Sequence, residues 1–180
     1  MLSQTDKVNA AWKRIESWYA ANFPEYQLPE GATPANIIAL EAHLGLTLPE
    51  EFRASLERHN GVERWIKYSS LSSTEAIKAE WSQWIDGLDR GLFDGILGNE
   101  NDSLQRCWFN RSWVPFGGYG FCIDMNPGEQ GRAGQVIFMS HDMGPSGPNF
   151  PDFVGYLEDT ADALEAGRYA VDHGYLKLIN

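Results

Sequence analysis

Residues 113–142 read WVPFGGYGFCIDMNPGEQGRAGQVIFMSHD, and this stretch decides the fold. Two apolar runs, 121–125 and 135–140, flank a tip that carries Asn126, Pro127, Gly128, Gly131 and Gly134. Extended runs rich in Val, Ile and Phe around such a cluster of turn residues predict a hairpin. A third run, 113–116, precedes it across Gly117, Gly118 and Gly120. Glycines at those positions supply turn or bulge backbone that a side chain would obstruct. The expectation is a three-stranded antiparallel meander. No other part of the chain is as dense in strand formers, so the flanking helical segments should pack on this sheet.

Upstream, Val8, Ala11, Trp12, Ile15, Trp18 and Tyr19 recur at three- and four-residue steps, which predicts an amphipathic helix over about 6–22. Thr33 caps a second helix, with Pro34 at its first position, where a missing N–H costs nothing. Ile37, Leu40 and Leu44 form its stripe and Gly45 ends it. Pro49 starts a third helix with Phe52 and Leu56 inward, and Asn60-Gly61 stops it. Residues 62–68 read as a strand. Ser72 with Glu75 fits a capping box for a fourth helix through Ile77, Trp81, Trp84 and Ile85. Residues 86–102, DGLDRGLFDGILGNEND, hold five acidic side chains and one basic one. They read as a surface excursion pinned by Leu88, Leu92, Phe93, Ile96 and Leu97.

Downstream, residues 143–150 contain Gly144, Pro145, Gly147 and Pro148 and read as a loop. Pro151 opens a last helix with Phe153, Tyr156, Leu157, Thr160, Ala161 and Leu164 on one face, and Gly167 ends it. Residues 169–171 and 175–178 suit short strands. These periodicities place Trp12, Ile15, Leu40, Phe52, Ile123, Ile137 and Leu157 in one core.

A chain of 180 residues with a 43% hydrophobic share is globular and can bury a core without staples. It reads as one domain, residues 1–180. The 25 acidic residues against 14 basic ones give a formal charge of -11. That balance argues against nucleic acid, which needs a basic footprint, and against anionic membrane surfaces. It favours a basic protein partner, although acidity is common in soluble proteins without a specific reason. The two cysteines, Cys107 and Cys122, suggest no disulfide framework, and Cys122 alternates with Phe121 and Ile123 as a buried small hydrophobe does. The first residues carry charges and no long apolar run, so the expected location is the cytoplasm.

Catalytic chemistry finds little support. His43, His59, His141 and His173 are spread over helices and loops with no nucleophile in a recognisable motif. The glycines at 117, 118 and 120 are not a phosphate loop, because no Lys-Ser or Lys-Thr follows. Asp124, Asn126 and Gly128 begin like a calcium loop, but Pro127, Glu129 and Gln135 break the pattern. Zinc-ligand spacing is missing, so neither metal nor cofactor is expected. His141-Asp142 is the best remaining site-like pair, and a strand end explains it as well.

In order along the chain stand Trp12-Lys13-Arg14-Ile15-Glu16; Gly31-Ala32-Thr33, Ile37, Leu40-Glu41, Leu44-Gly45 and Leu48-Pro49; Asn60-Gly61; Trp113-Val114-Pro115; the run 118–124; Pro127-Gly128; 134–137; and Phe153, Tyr156 and Leu157. Each is weak alone, but their ordered sum resembles the SUKH superfamily, the Smi/Knr-type proteins. The least family-like part is 65–109, which then reads as a variable insertion. The resemblance implies an α+β fold: a central curved antiparallel sheet, a meander, with helices packed around it. It also implies a non-enzymatic protein-binding domain. Bacterial members are largely immunity proteins that bind and neutralise a toxin, often a nuclease. Fungal members are regulators of cell-wall assembly that act through protein partners.

The leading expectation is therefore an immunity protein that occludes a cognate toxin with a basic surface. The alternatives are a regulatory scaffold of Smi/Knr type and a small hydrolase with an unrecognised site. Because a recognition surface should vary on a shared scaffold, the expected partner-binding residues are Trp65, Trp81, Trp84, Asp86, Asp89, Phe93, Asp94 and Asp102. Aromatic side chains anchor interfaces and aspartates steer a basic partner. The alternative surface is the hairpin, with Asp124, Glu129 and Asp142.

Overall fold

Four antiparallel strands pair in chain order: β1 (Trp113–Gly117), β2 (Phe121–Asp124), β3 (Gln135–Ser140) and β4 (Gly144–Phe150). The computed structural model describes residues 2–66, 69–98, 101–118 and 120–179. The first three strands are the expected meander, with Val114 opposite Ile123 and Ile123 opposite Val136. A register shift between Pro115 and Gly117 confirms a bulge at the glycines. A Cβ on Gly120 would fall 2.0 Å from the Met139 carbonyl oxygen, so only glycine fits there.

The fourth strand corrects the reading of 143–150 as a loop. Its glycines and prolines suggest turns, yet it lies at an edge, where one side of the backbone needs no partner and proline is tolerated. Another register shift, between Val136 and Phe138, absorbs its irregular backbone.

Side chains alternate between two buried faces. Val114, Phe116, Ile123 and Val136 join the large core, together with Trp12, Ile15, Leu40, Phe52 and Leu157. Trp113, Cys122, Ile137 and Met139 point the other way, against Trp84, Leu104 and Phe109. The expected single core is thus two: Ile137 is buried, but on the opposite side of the sheet from Ile123. Adjacent strand positions face opposite sides, and a sheet covered on both faces produces continuous apolar runs.

The large core is closed by α1 (Gln4–Asn22), α2 (Pro34–Leu44), α3 (Glu50–Arg58) and α5 (Phe153–Glu165), while α4 (Thr74–Asp89) reaches from Ile77 in that core to Trp84 in the other. The Thr33 cap, Pro34 and the left-handed Gly45 stand as expected. The fourth helix is capped one residue later than expected. The Ser73 hydroxyl accepts from the Ala76 amide, while the Ser72 amide donates to the Phe116 carbonyl of β1. The expected strand over 62–68 reduces to one bridge, Val62 to Leu71; Lys67 and Tyr68 lie outside the described residues. A separate hairpin, β5 (Tyr169–Asp172) and β6 (Tyr175–Leu178), follows α5. Among the described residues, no helix is long and apolar enough to cross a membrane.

One ion cluster ties α1 to α3. Glu16 accepts from both Arg58 Nε and Nη2 and lies 3.0 Å from His59 Nε2. The Arg58 hydrogen bonds hold the Glu16 carboxyl below the usual glutamate range, against the opposing effect of burial. A depressed folded pKa gives stability that is present above about pH 4.5, the unfolded value, and lost as pH falls through the folded one. Glu16→Gln should therefore lower the melting temperature at neutral pH. The gap to the wild type should close as melting is followed down to about pH 3. A gap that stays constant across that range would show that Glu16 acts through packing instead.

Candidate functional site

Helix α5 is apolar over a wide arc. Leu157, Ala161 and Leu164 face the large core, while Tyr156, Asp159, Thr160 and Ala163 line a cleft of about 610 Å³. The spacing of three and four residues puts those four side chains on one stripe. The opposite wall is the end of the sheet, where Phe121, Phe138 and Phe150 come from three successive strands. Phe121 lies 5.4 Å from Phe138 and 5.5 Å from Tyr156, and Phe150 lies 5.5 Å from Tyr156, measured between ring centroids. Tyr169 and Leu178 of the β5–β6 hairpin, with Ile66 and Ser69, close the remaining sides, and Gly117 and Gly118 form a lip without side chains.

The walls are fixed from behind. Trp65 Nε1 donates to the Tyr156 hydroxyl at 2.8 Å, and Thr160 Oγ1 donates to the Tyr156 carbonyl at 3.0 Å. Burial pushes the Tyr156 and Tyr169 hydroxyls up in pKa, so both stay neutral donors at physiological pH. Asp159 and Arg168 are the charged groups of the lining. The cleft is thus preformed and mostly apolar, with five aromatic rings in its walls, which suits it to apolar side chains rather than to acid–base chemistry.

The sequence placed Phe121, Phe138, Tyr156, Thr160 and Tyr169 on strands or a helix stripe, Gly117 and Gly118 in a turn and Phe150 in a loop, and did not single out Asp159 or Arg168. The available signal was the width of the apolar arc on α5, from Phe153 and Val154 to Ala163 and Leu164, which is broader than packing on one layer requires.

The expected partner-binding residues separate into two sets. Trp65 has no exposed surface, with its ring 5.5 Å from Trp12 and its N–H spent on Tyr156. This corrects its assignment as a surface anchor. Trp84 is also buried, its ring sandwiched between Phe109 at 4.8 Å and His141 at 4.5 Å. Trp81 is half-buried and donates to the Arg111 carbonyl. Phe93 leans on Trp84, held there by Gly87, where a Cβ would fall 2.9 Å from the Phe93 ring. Leu92, Ile96 and Leu97 do not pin the excursion as expected: they are exposed, Leu97 at 73%.

The aspartates are not a bare acidic patch. Asp86 pairs with Arg90, Asp89 with Arg111 and Asp102 with Arg106. Arg106 and Arg111 lie beyond the acidic run in sequence and return to it in space, so the local field is much weaker than the composition of 86–102 suggests. Of the four, Asp94 has no arginine partner among the described residues. His141 covers Trp84 and is exposed, and the Asp142 amide donates to the Ser140 hydroxyl in the turn that ends β3. Among the described residues no group of three or more His, Cys, Asp or Glu side chains is placed to hold a metal.

Asp124, offered by the sequence as an alternative surface residue, has no exposed area. Its Oδ1 accepts from Trp113 Nε1 at 3.0 Å and the Asn126 amide at 2.9 Å, and its Oδ2 from Gln135 Nε2 at 2.9 Å. Gln135 Nε2 also donates to the Ser103 carbonyl, and the Gly128 amide does the same. A Cβ on Gly128 would strike the Asp102 and Leu104 carbonyls. The hairpin tip therefore packs directly on the backbone of 102–104, and Leu104 reaches the second core.

The profile of the SMI1 / KNR4 family (SUKH-1) matches residues 31–159, from the glycine before the Thr33 cap to Asp159 in the cleft wall. The chain belongs to this family. Among curated relatives, a "Glucan synthesis regulatory protein" of Neurospora crassa is 27% identical, covering 92% of this chain and 40% of its own length. A "Cell wall biosynthesis/cell cycle regulator smi1" of Schizosaccharomyces pombe is 29% identical over 92% of this chain and 38% of its own. A "KNR4/SMI1 homolog" of Yarrowia lipolytica is 24% identical over 92% and 32%. This SMI1/KNR4 member thus spans about two-fifths or less of the length of the curated relatives it matches. The first two of these relatives are named as regulators, and none of the three names is that of an enzyme.

For this family member the polar row under the hairpin is directly testable. Asp124→Asn keeps the shape but turns an acceptor into a donor facing the Gln135 amide. It should cost about 1–3 kcal/mol of unfolding free energy, the range for a buried polar group left unsatisfied. Amide exchange should speed up most at Gly128 and Gln130, whose N–H groups bond the carbonyls of Ser103 and Asp102. Unchanged stability and exchange would remove Asp124 from its role as the clamp.

Proposed function

We propose that this chain is a protein-binding module of a regulator, of the Smi/Knr cell-wall type, which acts by docking a partner. The observation that carries the reading is the preformed aromatic cleft. It lies on a scaffold that aligns over 92% of the chain with relatives named for glucan synthesis and cell-wall regulation. A cleft with fixed apolar walls binds side chains without ordering its own groups first, which lowers the cost of association. Its lining lacks a nucleophile–base pair or a spaced ligand set among the described residues, so binding explains it better than turnover.

The test is a chimera. This chain should replace the matching region of the fission-yeast relative and restore growth on medium containing a wall-degrading glucanase. A chimera that is folded and expressed, yet behaves like the deletion, sinks the reading.

A second reading, a toxin-neutralising immunity protein, draws on two other observations. The formal charge is -11, and Leu92, Ile96 and Leu97 are exposed beside Asp86, Asp89 and Asp94. Apolar anchors ringed by acids suit a basic partner. On this reading, co-expression with the product of an adjacent reading frame protects cells from it. Neutralising Asp86, Asp89, Asp94 and Asp102 together frees three arginines, so association with that product should slow and lose its salt dependence. If the wild-type chain gives no protection, the second reading fails whatever the variant does.

A further inference from the structure

We propose that the cleft between α5, the sheet end and the β5–β6 hairpin receives an extended segment of a partner protein. The segment carries bulky apolar side chains next to lysine or arginine. The inference rests on the protein-binding reading above and names the chemistry of the partner.

Size and shape set the first condition. About 610 Å³ lies in the range of sites that enclose ligands, and it is more than one bulky side chain requires. The apolar surface does not end at the cleft mouth. Leu178 lines the cleft at 45% exposure, so the apolar wall continues out to the protein surface. A pocket whose apolar wall reaches the surface at Leu178 suits a chain that passes through, with anchors inside and backbone outside.

Charge sets the second condition. The outer row of α5 carries Glu158, Asp159, Asp162 and Glu165, all exposed. Arg14 reaches across from α1 and takes Asp162 and Glu165. Glu158 and Asp159 are left without a cationic partner among the described residues, and Asp159 lines the cleft. Asp159 is near enough to Tyr156 and Tyr169 to contribute to holding both phenols neutral. An occupant that fills the aromatic walls therefore brings its neighbouring residues against the Asp159 carboxylate. A lysine or arginine there gains a partner, and a glutamate meets repulsion that adds to the net charge of -11. A fatty acid or an anionic headgroup meets the same repulsion, which favours a peptide over a lipid. Arg168, the one basic residue of the described lining, can donate to carbonyl oxygens of the bound backbone.

The probe is a short fluorescein-labelled peptide with two phenylalanines flanked by lysines, followed by anisotropy. Controls replace the phenylalanines by serine or the lysines by glutamate, and the neutral dye aminoanthracene reports simple apolar binding. Leu178→Asp and Asp159→Lys alter half-exposed or exposed positions, so the fold is retained. The lysine–phenylalanine peptide should bind saturably, and each variant should weaken it about tenfold or more, the effect of losing one good contact. Asp159→Lys should also narrow the preference for lysine over glutamate. Equal binding of the serine peptide, no effect of either variant, or binding of the dye with no peptide binding would each overturn the proposal. The chimera separates the two levels. If it restores growth while the peptide does not bind, this inference fails and the regulatory reading stands. If the peptide binds as expected and the chimera fails, the regulatory reading falls instead.

Discussion

Asp124 is a carboxylate with no exposed surface, in a row with Trp113 on one neighbouring strand and Gln135 on the other. Burying that group without donors would cost several kcal/mol, roughly the whole margin of a small domain. Three donors converge on it, and they exist in only one register. A slip of β2 by one residue would turn Asp124 onto the face of Val114 and Val136 and put Ile123 on the other face, with Trp113 and Gln135. The row thus fixes how β1, β2 and β3 align. Through Gln135 and Ser103 it also fixes where the segment after the acidic excursion lies. The cleft depends on the same register, because it needs Phe121 and Phe138 side by side at the far end of the helix-facing surface.

Much of the fold was legible in the sequence, for reasons that differ by element. The hairpin of β2 and β3 announced itself through alternation around a glycine-rich tip, and α1 and α2 through stripe and cap. The strand β4 did not, because its Gly and Pro residues carry turn propensity that an edge position overrides. The cap of α4 was misplaced by one residue because two serines stand together. Which one turns its hydroxyl to the helix depends on the tertiary bond from the Ser72 amide to Phe116. The candidate site was less legible still. Trp65 looks like an interface anchor by residue type, and only the structure puts it behind Tyr156. The cleft residues are separated by up to 112 positions in sequence if Ile66 and Leu178 mark its ends, and no local pattern joins them.

Electrostatics show the same divide between composition and arrangement. By sequence the most acidic stretch is 86–102, yet arginines from inside and outside it neutralise three of its four named aspartates. On α5, where the sequence drew attention only to the apolar stripe, one arginine serves two of four acids and, among the described residues, leaves Asp159 unserved in the wall of the cavity. Exposed ion pairs of this kind add little stability, so their main consequence is to decide which charges a partner meets.

Helix α5 then has two duties that constrain each other. Its inner face, Leu157, Ala161 and Leu164, holds α1 and the large core together, and its outer stripe forms a cleft wall. A helix anchored on one side by fully buried residues cannot shift to fit an occupant, so selectivity must come from what already lines the cleft. Residues such as Phe138, Leu178 and Asp159, which touch the cleft without belonging to the buried core, are free to change without unfolding the protein. Tyr156 is not, because its ring is a wall of the site and its hydroxyl satisfies a buried tryptophan. On the proposed docking role, specificity can therefore be altered around a fixed aromatic floor.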